Sequence, residues 1–181
     1  MLGLTGPNAA GKGEVAAHLA QLGFAVHSLS DVVREEAAAR GLSPEREHLI
    51  RVGNLLRTEG GAGVLARRIL ARLGDRDVVD SIRNPAEVET LRELPRFVLL
   101  GVDAPAELRF RRSAARGRPG DPGTIEAFHS REAQENTSNP TAQQLAATFA
   151  LADRLLSNEG DLEALQLQVE RLVAALDAGS G

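Results

Sequence analysis

The stretch that most restricts this chain is Gly6-Pro7-Asn8-Ala9-Ala10-Gly11-Lys12-Gly13. It follows a short apolar run, Met1-Leu2-Gly3-Leu4-Thr5, and leads into Glu14-Val15-Ala16-Ala17-His18-Leu19-Ala20, which has helical spacing. Strand, glycine loop, lysine, helix is the order of a phosphate-binding P-loop. Gly6 and Gly11 permit backbone angles that a side chain forbids, so successive N–H groups can converge on one point. The positive end of the helix is aimed at the same point. Of the 21 basic residues only Lys12 is a lysine. A compact charge on a flexible stem fits inside a tight loop where the planar fork of arginine does not. Gly6 through Glu14 are therefore the expected cofactor-binding segment, with Lys12 on the outer phosphates of a nucleotide.

Composition excludes several classes. A net charge of −4 gives no global basic field for nucleic acid or acidic membrane, and no cysteine is present for disulfides, thiol catalysis or cysteine metal sites. No apolar run approaches the roughly 18–20 residues of a membrane span. No basic-then-apolar leader is visible at the N-terminus, so the expected location is cytoplasmic. The expected partners are small-molecule nucleotides, with no nucleic acid and no membrane, in a monomer or homodimer. Aromatic residues are 3% of the chain, so base stacking has few rings to use.

Short apolar strands are expected at residues 1–5, 24–27, 77–80 and 97–102, with a short last strand within 151–157, alternating with helices. That pattern predicts an α/β fold with a parallel sheet. Helices are expected from Val32 after a Ser30 or Asp31 cap, after Ser43-Pro44, over 64–73, from Asn84-Pro85 to Leu94, over 106–116, 124–135 and 141–149, and over 162–176. In the last, Leu162, Leu165, Val169, Leu172 and Leu176 form one stripe. No linker or repeat divides the chain, so one domain over 1–181 is expected. Ligands of parallel sheets bind at the carboxyl ends of the strands. The loops after Thr5, His27, Asp80, Val102 and Ser157 should then share a face.

Candidate side chains sit on those loops. Asp31 and Arg34 lie one turn apart after the second strand. Asp80 ends the third strand, where a carboxylate can hold Mg²⁺ through water, and Arg83 follows on the same loop. Arg109, Arg112 and Arg116 fall at i, i+3 and i+7, on one helical face, and Arg118 lies in the adjacent Gly/Pro-rich loop. Phosphoryl transfer spreads charge over several oxygens, which a mobile arginine flap could neutralise. Asn158 lies in a loop suited to touch a purine.

These residues resemble the nucleoside monophosphate kinases, broadly the adenylate kinase and dephospho-CoA kinase group. Gly11-Lys12-Gly13 looks like that group's Gly-Lys-Gly loop. Ser28-Leu29-Ser30-Asp31-Val32-Val33-Arg34 is similar to Ser-Thr-Gly-Asp-x-x-Arg, and Asp80-Ser81-Ile82-Arg83 to Asp-Gly-Phe-Pro-Arg. The run from His27 to Asp31 and that from Asp80 to Val88 also resemble the kinase-like N-terminal part of bacterial two-domain deoxycytidylate deaminases, and small archaeal kinase-like proteins. The resemblance implies a P-loop NTPase three-layer α/β/α sandwich with a five-stranded parallel sheet. It also implies a helical acceptor region about 31–73 and an arginine-rich lid about 109–135.

The implied activity is ATP- and Mg²⁺-dependent phosphoryl transfer to a nucleoside monophosphate, a deoxynucleotide above others. Arg34 and Arg83 would bind the acceptor phosphate, with Asp31 orienting the acceptor or serving as base toward a hydroxyl. Arg109, Arg112, Arg116 and Arg118 would stabilise the moving phosphoryl. The alternatives are a nucleotide-binding regulatory module without turnover and a dephospho-CoA kinase-like metabolite kinase. The regulatory reading comes from Glu14, which stands where adenylate kinases have Thr. Beside a triphosphate its carboxylate must turn away, contact a metal, or accompany a different mode of ATP binding.

Overall fold

The computed structural model describes residues 1–117 and 120–178. Five strands are present: β1 (Leu2–Thr5), β2 (Ala25–Ser28), β3 (Asp77–Asp80), β4 (Val98–Asp103) and β5 (Arg154–Ser157). All pairings are parallel and the order is β2-β3-β1-β4-β5. From β1 the chain runs to the edge strand β2, returns inward through β3 beside β1, and then crosses to β4 and β5 on the other side. That reversal makes the carboxyl end of β1 the switch point where α/β sheets open a crevice.

Nine helices lie among the described residues: α1 (Lys12–Gln21), α2 (Leu29–Ala39), α3 (Arg46–Gly60), α4 (Val64–Ile69), α5 (Pro85–Arg92), α6 (Ala106–Arg116), α7 (Ile125–Gln134), α8 (Leu145–Phe149) and α9 (Leu162–Ala178). Strand alternation decides which face each apolar residue supplies. Leu2, Leu4, Val78, Leu100, Val102 and Leu156 pack with α1 and α9. Val79, Ile82 and Leu99 pack with α2, α3, α4 and α5. Two apolar cores on opposite faces of one sheet make the three-layer sandwich.

Several boundaries differ from the sequence expectation. Helix α2 is capped by Ser28, not by Ser30 or Asp31, because Ser28 is held extended opposite Asp80 and its side chain accepts the Ser30 N–H. Helix α3 starts at Arg46, not after Ser43-Pro44. The Ser43 hydroxyl bonds His48 Nδ1 at 2.8 Å instead of capping a backbone N–H. The 64–73 segment is helical to Ile69 and then tightens into a 3-10 turn over Leu70–Arg72. The 141–149 segment is helical only from Leu145, because Asn84 Nδ2 donates to the carbonyls of Pro140 and Ala142 at 2.7 and 2.9 Å, and Gln144 N–H donates to the Arg83 carbonyl. In α9 the buried stripe is Leu165, Val169 and Val173, whereas Leu162 is exposed.

Behind the site lies a buried anchor. Asn84 and Glu87 form a capping box at the start of α5. One Glu87 oxygen accepts the N–H groups of Arg83 and Asn84, and the other accepts Nε and Nη2 of Arg57 from α3. Both side chains of this ion pair are withdrawn from solvent. Glu87 thus fixes the loop after β3 and the packing of α3 together. Glu87→Ala would leave the Arg57 charge buried without a partner, so a loss of about 3–5 kcal/mol is expected. Urea denaturation followed by circular dichroism measures it.

Candidate active site

The glycine loop closes tightly over the carboxyl end of the sheet. Gly6 has φ +137, and a Cβ there would stand 2.1 Å from the Val102 carbonyl oxygen. Gly11 has φ +107, and a Cβ would meet Asn158 Nδ2 at 2.0 Å. Gly11 is also the N-cap of α1 and gives the first-turn N–H groups no side-chain acceptor. At Gly13, by contrast, a Cβ would meet nothing within 4 Å. Glu14, one position further into α1, is exposed along the same cleft.

Lys12 folds over this loop, donating from Nζ to the carbonyls of Gly6 (2.7 Å) and Pro7 (2.8 Å). Burial lowers its pKa to about 8, and the charge of Arg83 adds to the effect, while Asp80 and Glu135 oppose it. Arg83 is itself lowered, first by burial, with the Glu135 carboxylate opposing. Its Nη1 donates to Gln143 Oε1 at 3.2 Å. Asp80 has one carboxylate oxygen bonded to the Ser81 hydroxyl, and its other oxygen, Oδ1, is buried without a hydrogen-bond partner. A buried, unsatisfied carboxylate oxygen beside a phosphate loop fits a hydrated divalent cation, which takes oxygen ligands.

The arginine-rich helix α6 brings Arg112 and Arg116 to the cleft along the glycine loop. Arg109 is buried, donating to the carbonyls of Ala104 and Asn8 and pairing with Glu132 of α7. Arg112 donates to Asn158 Oδ1, and its Nη1 is buried without a partner. Arg116 bonds both carboxylate oxygens of Asp121 at 3.2 and 3.1 Å. Arg118 lies outside the described residues. Asn158 is buried, with Nδ2 donating to the Ala10 carbonyl at 2.8 Å. Its amide thus props the glycine loop and carries Arg112, and both of its polar atoms are engaged within the protein. Asp31 and Arg34 pair with each other on the exposed start of α2.

Two clefts meet here. One, of about 750 Å³, runs along the glycine loop past Asp80, Arg112 and Asn158. The other, of about 690 Å³, lies between α2 and α3, with apolar walls such as Leu29, Val33 and Ile50. Ser30, Arg34, Ser81, Arg83 and Arg116 line both. Sequence reasoning missed Glu135. This buried carboxylate at the end of α7 accepts from Asn8 Nδ2 of the loop at 2.5 Å and pairs with Arg46 at the start of α3. Gln143 was also missed. Both sit in segments of ordinary polar composition, and nothing in their spacing marks them.

A family model described as an AAA domain matches residues 5–129. A UPF0200 protein of Hyperthermus butylicus is 36% identical over 177 residues, covering 96% of this chain and 92% of that one. The chain belongs to the UPF0200 family of AAA-domain proteins. A second member, from Thermococcus gammatolerans, is 32% identical over 185 residues, covering 97% and 95% of the two chains. Among solved structures, TT1252 from Thermus thermophilus superposes with a TM-score of 0.63 at 25% identity, covering 97% of this chain and 96% of that one. Shikimate kinase from Bacteroides thetaiotaomicron also gives 0.63, at 14% identity and 97% of each chain, which shows a shared fold. The expected P-loop kinase-like architecture is therefore present, in a family whose name assigns no substrate. Among the described residues no helix is long and apolar enough to cross a membrane.

Two measurements follow from this geometry. Gly11→Ala should lower the thermal midpoint and release Asn158 from the loop, whereas Gly13→Ala should leave stability within about 1 kcal/mol, since Ala is the better helix former; calorimetry of both variants tests the contrast. Because Lys12 titrates near 8 in the free protein, a phosphate ligand that favours its charged form must draw in a proton above that pH. ATP affinity should fall from pH 7 to pH 9.5. Titration calorimetry in buffers of different ionisation enthalpy should show proton uptake near pH 8.5, absent in Lys12→Met.

Proposed function

We propose that this protein is an ATP-dependent kinase that phosphorylates a nucleoside monophosphate, a deoxynucleoside monophosphate above others. The observation that carries the reading is the junction of the two clefts. A lysine and an arginine, Lys12 and Arg83, interact electrostatically across it beside the unsatisfied Asp80 oxygen. A donor triphosphate along the glycine loop and an acceptor between α2 and α3 would place their reacting ends there. Transfer between ionised phosphates needs positive charge and alignment more than a base.

In this reading the loop from Gly6 to Gly13 and Lys12 hold the ATP phosphates. Asp80 would hold Mg²⁺ through water, and the ion would supply positive charge to offset that of the phosphate oxygens. Arg83, with its backbone clamped by Glu87, and Arg34 hold the acceptor phosphate. Arg109, Arg112 and Arg116 surround the moving phosphoryl, and closure of the α6–α7 region as a lid would exclude water. Asn158 contributes by holding the loop against the purine side of the cleft. For a hydroxyl acceptor, as in a dephospho-CoA kinase-like enzyme, a base would be required, and the exposed Asp31 carboxylate would supply it. The preference for a deoxynucleotide is supported by the sequence resemblance to the deaminase-linked kinase-like part.

A second reading, a nucleotide-binding regulatory module without turnover, is favoured by Glu14, whose carboxylate lines the nucleotide cleft. The two readings separate on turnover. The protein is incubated with ATP, Mg²⁺ and each ribo- and deoxyribonucleoside monophosphate, with dephospho-CoA included, and ADP and phosphorylated acceptor are measured. A kinase gives product with one acceptor, and Lys12→Ala or Arg83→Ala lowers kcat about 10²- to 10³-fold. Tight ATP binding without transfer to any acceptor overturns the kinase reading in favour of the regulatory one.

A further inference from the structure

Ser81 is one of three non-glycine residues with positive φ among the described residues, at +65. It stands between Asp80 and the buried Ile82 at the end of β3, and it lines both clefts. Glycine would occupy this conformation with less strain. What the serine adds is its hydroxyl. That hydroxyl belongs to a chain of hydrogen bonds made possible by the parallel register, which sets Ser28 opposite Asp80. The Ser30 N–H donates to Ser28 Oγ at 3.3 Å, Ser28 Oγ donates to Ser81 Oγ at 3.3 Å, and Ser81 Oγ donates to Asp80 Oδ2 at 3.2 Å.

The direction of the chain is fixed by proton inventory. An ionised carboxylate only accepts, a backbone N–H only donates, and each hydroxyl has one proton to give. The bonds therefore all point from the positive end of α2 toward Asp80. Since one Asp80 oxygen is occupied by Ser81, the other, Oδ1, is left buried and unpartnered.

We propose that Ser28 and Ser81 are positioning residues, a hydroxyl relay that turns Asp80 toward a bound magnesium and ties that carboxylate to the start of the helix carrying Asp31 and Arg34. The relay rests on the assignment of Asp80 to magnesium given above. Outer partners of this kind orient a ligand and set its basicity. At 3.2–3.3 Å these contacts are long for O–H···O bonds, so the relay steers the carboxylate without locking it.

The test uses the full chain and a fluorescent ATP analogue, and reads the ratio of its Kd without and with saturating Mg²⁺, together with the thermal midpoint of the free protein. Asp80→Asn should collapse the ratio toward one. Ser81→Ala and Ser81→Gly should each reduce it roughly tenfold, at the lower end for outer-sphere partners, and Ser28→Ala by a smaller factor. Ser81→Gly should raise the thermal midpoint while weakening magnesium coupling, a pairing that a purely structural role for the serine would not produce. The relay is overturned if both Ser81 variants keep the ratio within twofold of wild type while Asp80→Asn collapses it. If Asp80→Asn leaves the ratio unchanged, the magnesium assignment itself fails and the relay falls with it.

Discussion

The close approach of Gly6 to the end of β4 is the contact on which the site depends. Its α-carbon lies against the Val102 carbonyl so closely that a methyl group would overlap the oxygen. Only there can the chain leave β1, turn over the sheet edge and begin α1 without a longer loop. Gly11 repeats the condition at the other end of the loop, against Asn158 from the end of β5. The loop is therefore shaped by three strands, and neither glycine acts through flexibility. Each is a place where backbone must come nearer than a Cβ allows. A methyl at either position would move the N-terminus of α1, and with it the point at which Lys12 leaves the helix.

Electrostatics follow from that geometry. The loop and the ends of β3 and α6 bring Lys12, Arg83 and Arg109 into a small volume, and burial is the first cause lowering the pKa of both Lys12 and Arg83. Such a cluster persists only if carboxylates offset it. Glu132 pairs with Arg109, Glu135 with Arg46, and Glu87 with Arg57. Glu135 has the widest reach, joining the glycine loop through Asn8 to the entrance of α3 through Arg46. One side chain at the end of α7 thereby ties the glycine loop to the start of α3.

The elements legible in the sequence were those whose signals are local. The P-loop is marked by glycines at positions where only positive φ closes the turn. Helix α6 runs over Ala106–Arg116 as its composition indicates, and β3 and the start of α5 at Asn84-Pro85 are equally plain. Asp80 and Arg83 could be singled out because a strand end in a parallel sheet has a known place. In two of the places where expectation and structure part, tertiary contacts hold backbone that the local pattern had assigned elsewhere. Ser28 caps α2 because β3 holds it extended. The 136–144 segment stays irregular because Asn84 and Arg83 use its backbone.

What this sequence determined by itself was the alternation of strands and helices, the phosphate loop and the set of charged residues near it, since each rests on chain periodicity or on the backbone freedom of single residues. Pairing was decided only by the tertiary structure. That Glu135 meets Asn8 and Arg46, that Asn158 props the loop instead of standing free, and that the Ser28 hydroxyl of β2 reaches Ser81 beside Asp80 all depend on strand register and helix packing. Such contacts join residues 50 to 150 positions apart. A side chain's sequence neighbours carry no record of them, because the energy that selects each pair arises only once the backbone has been folded around it.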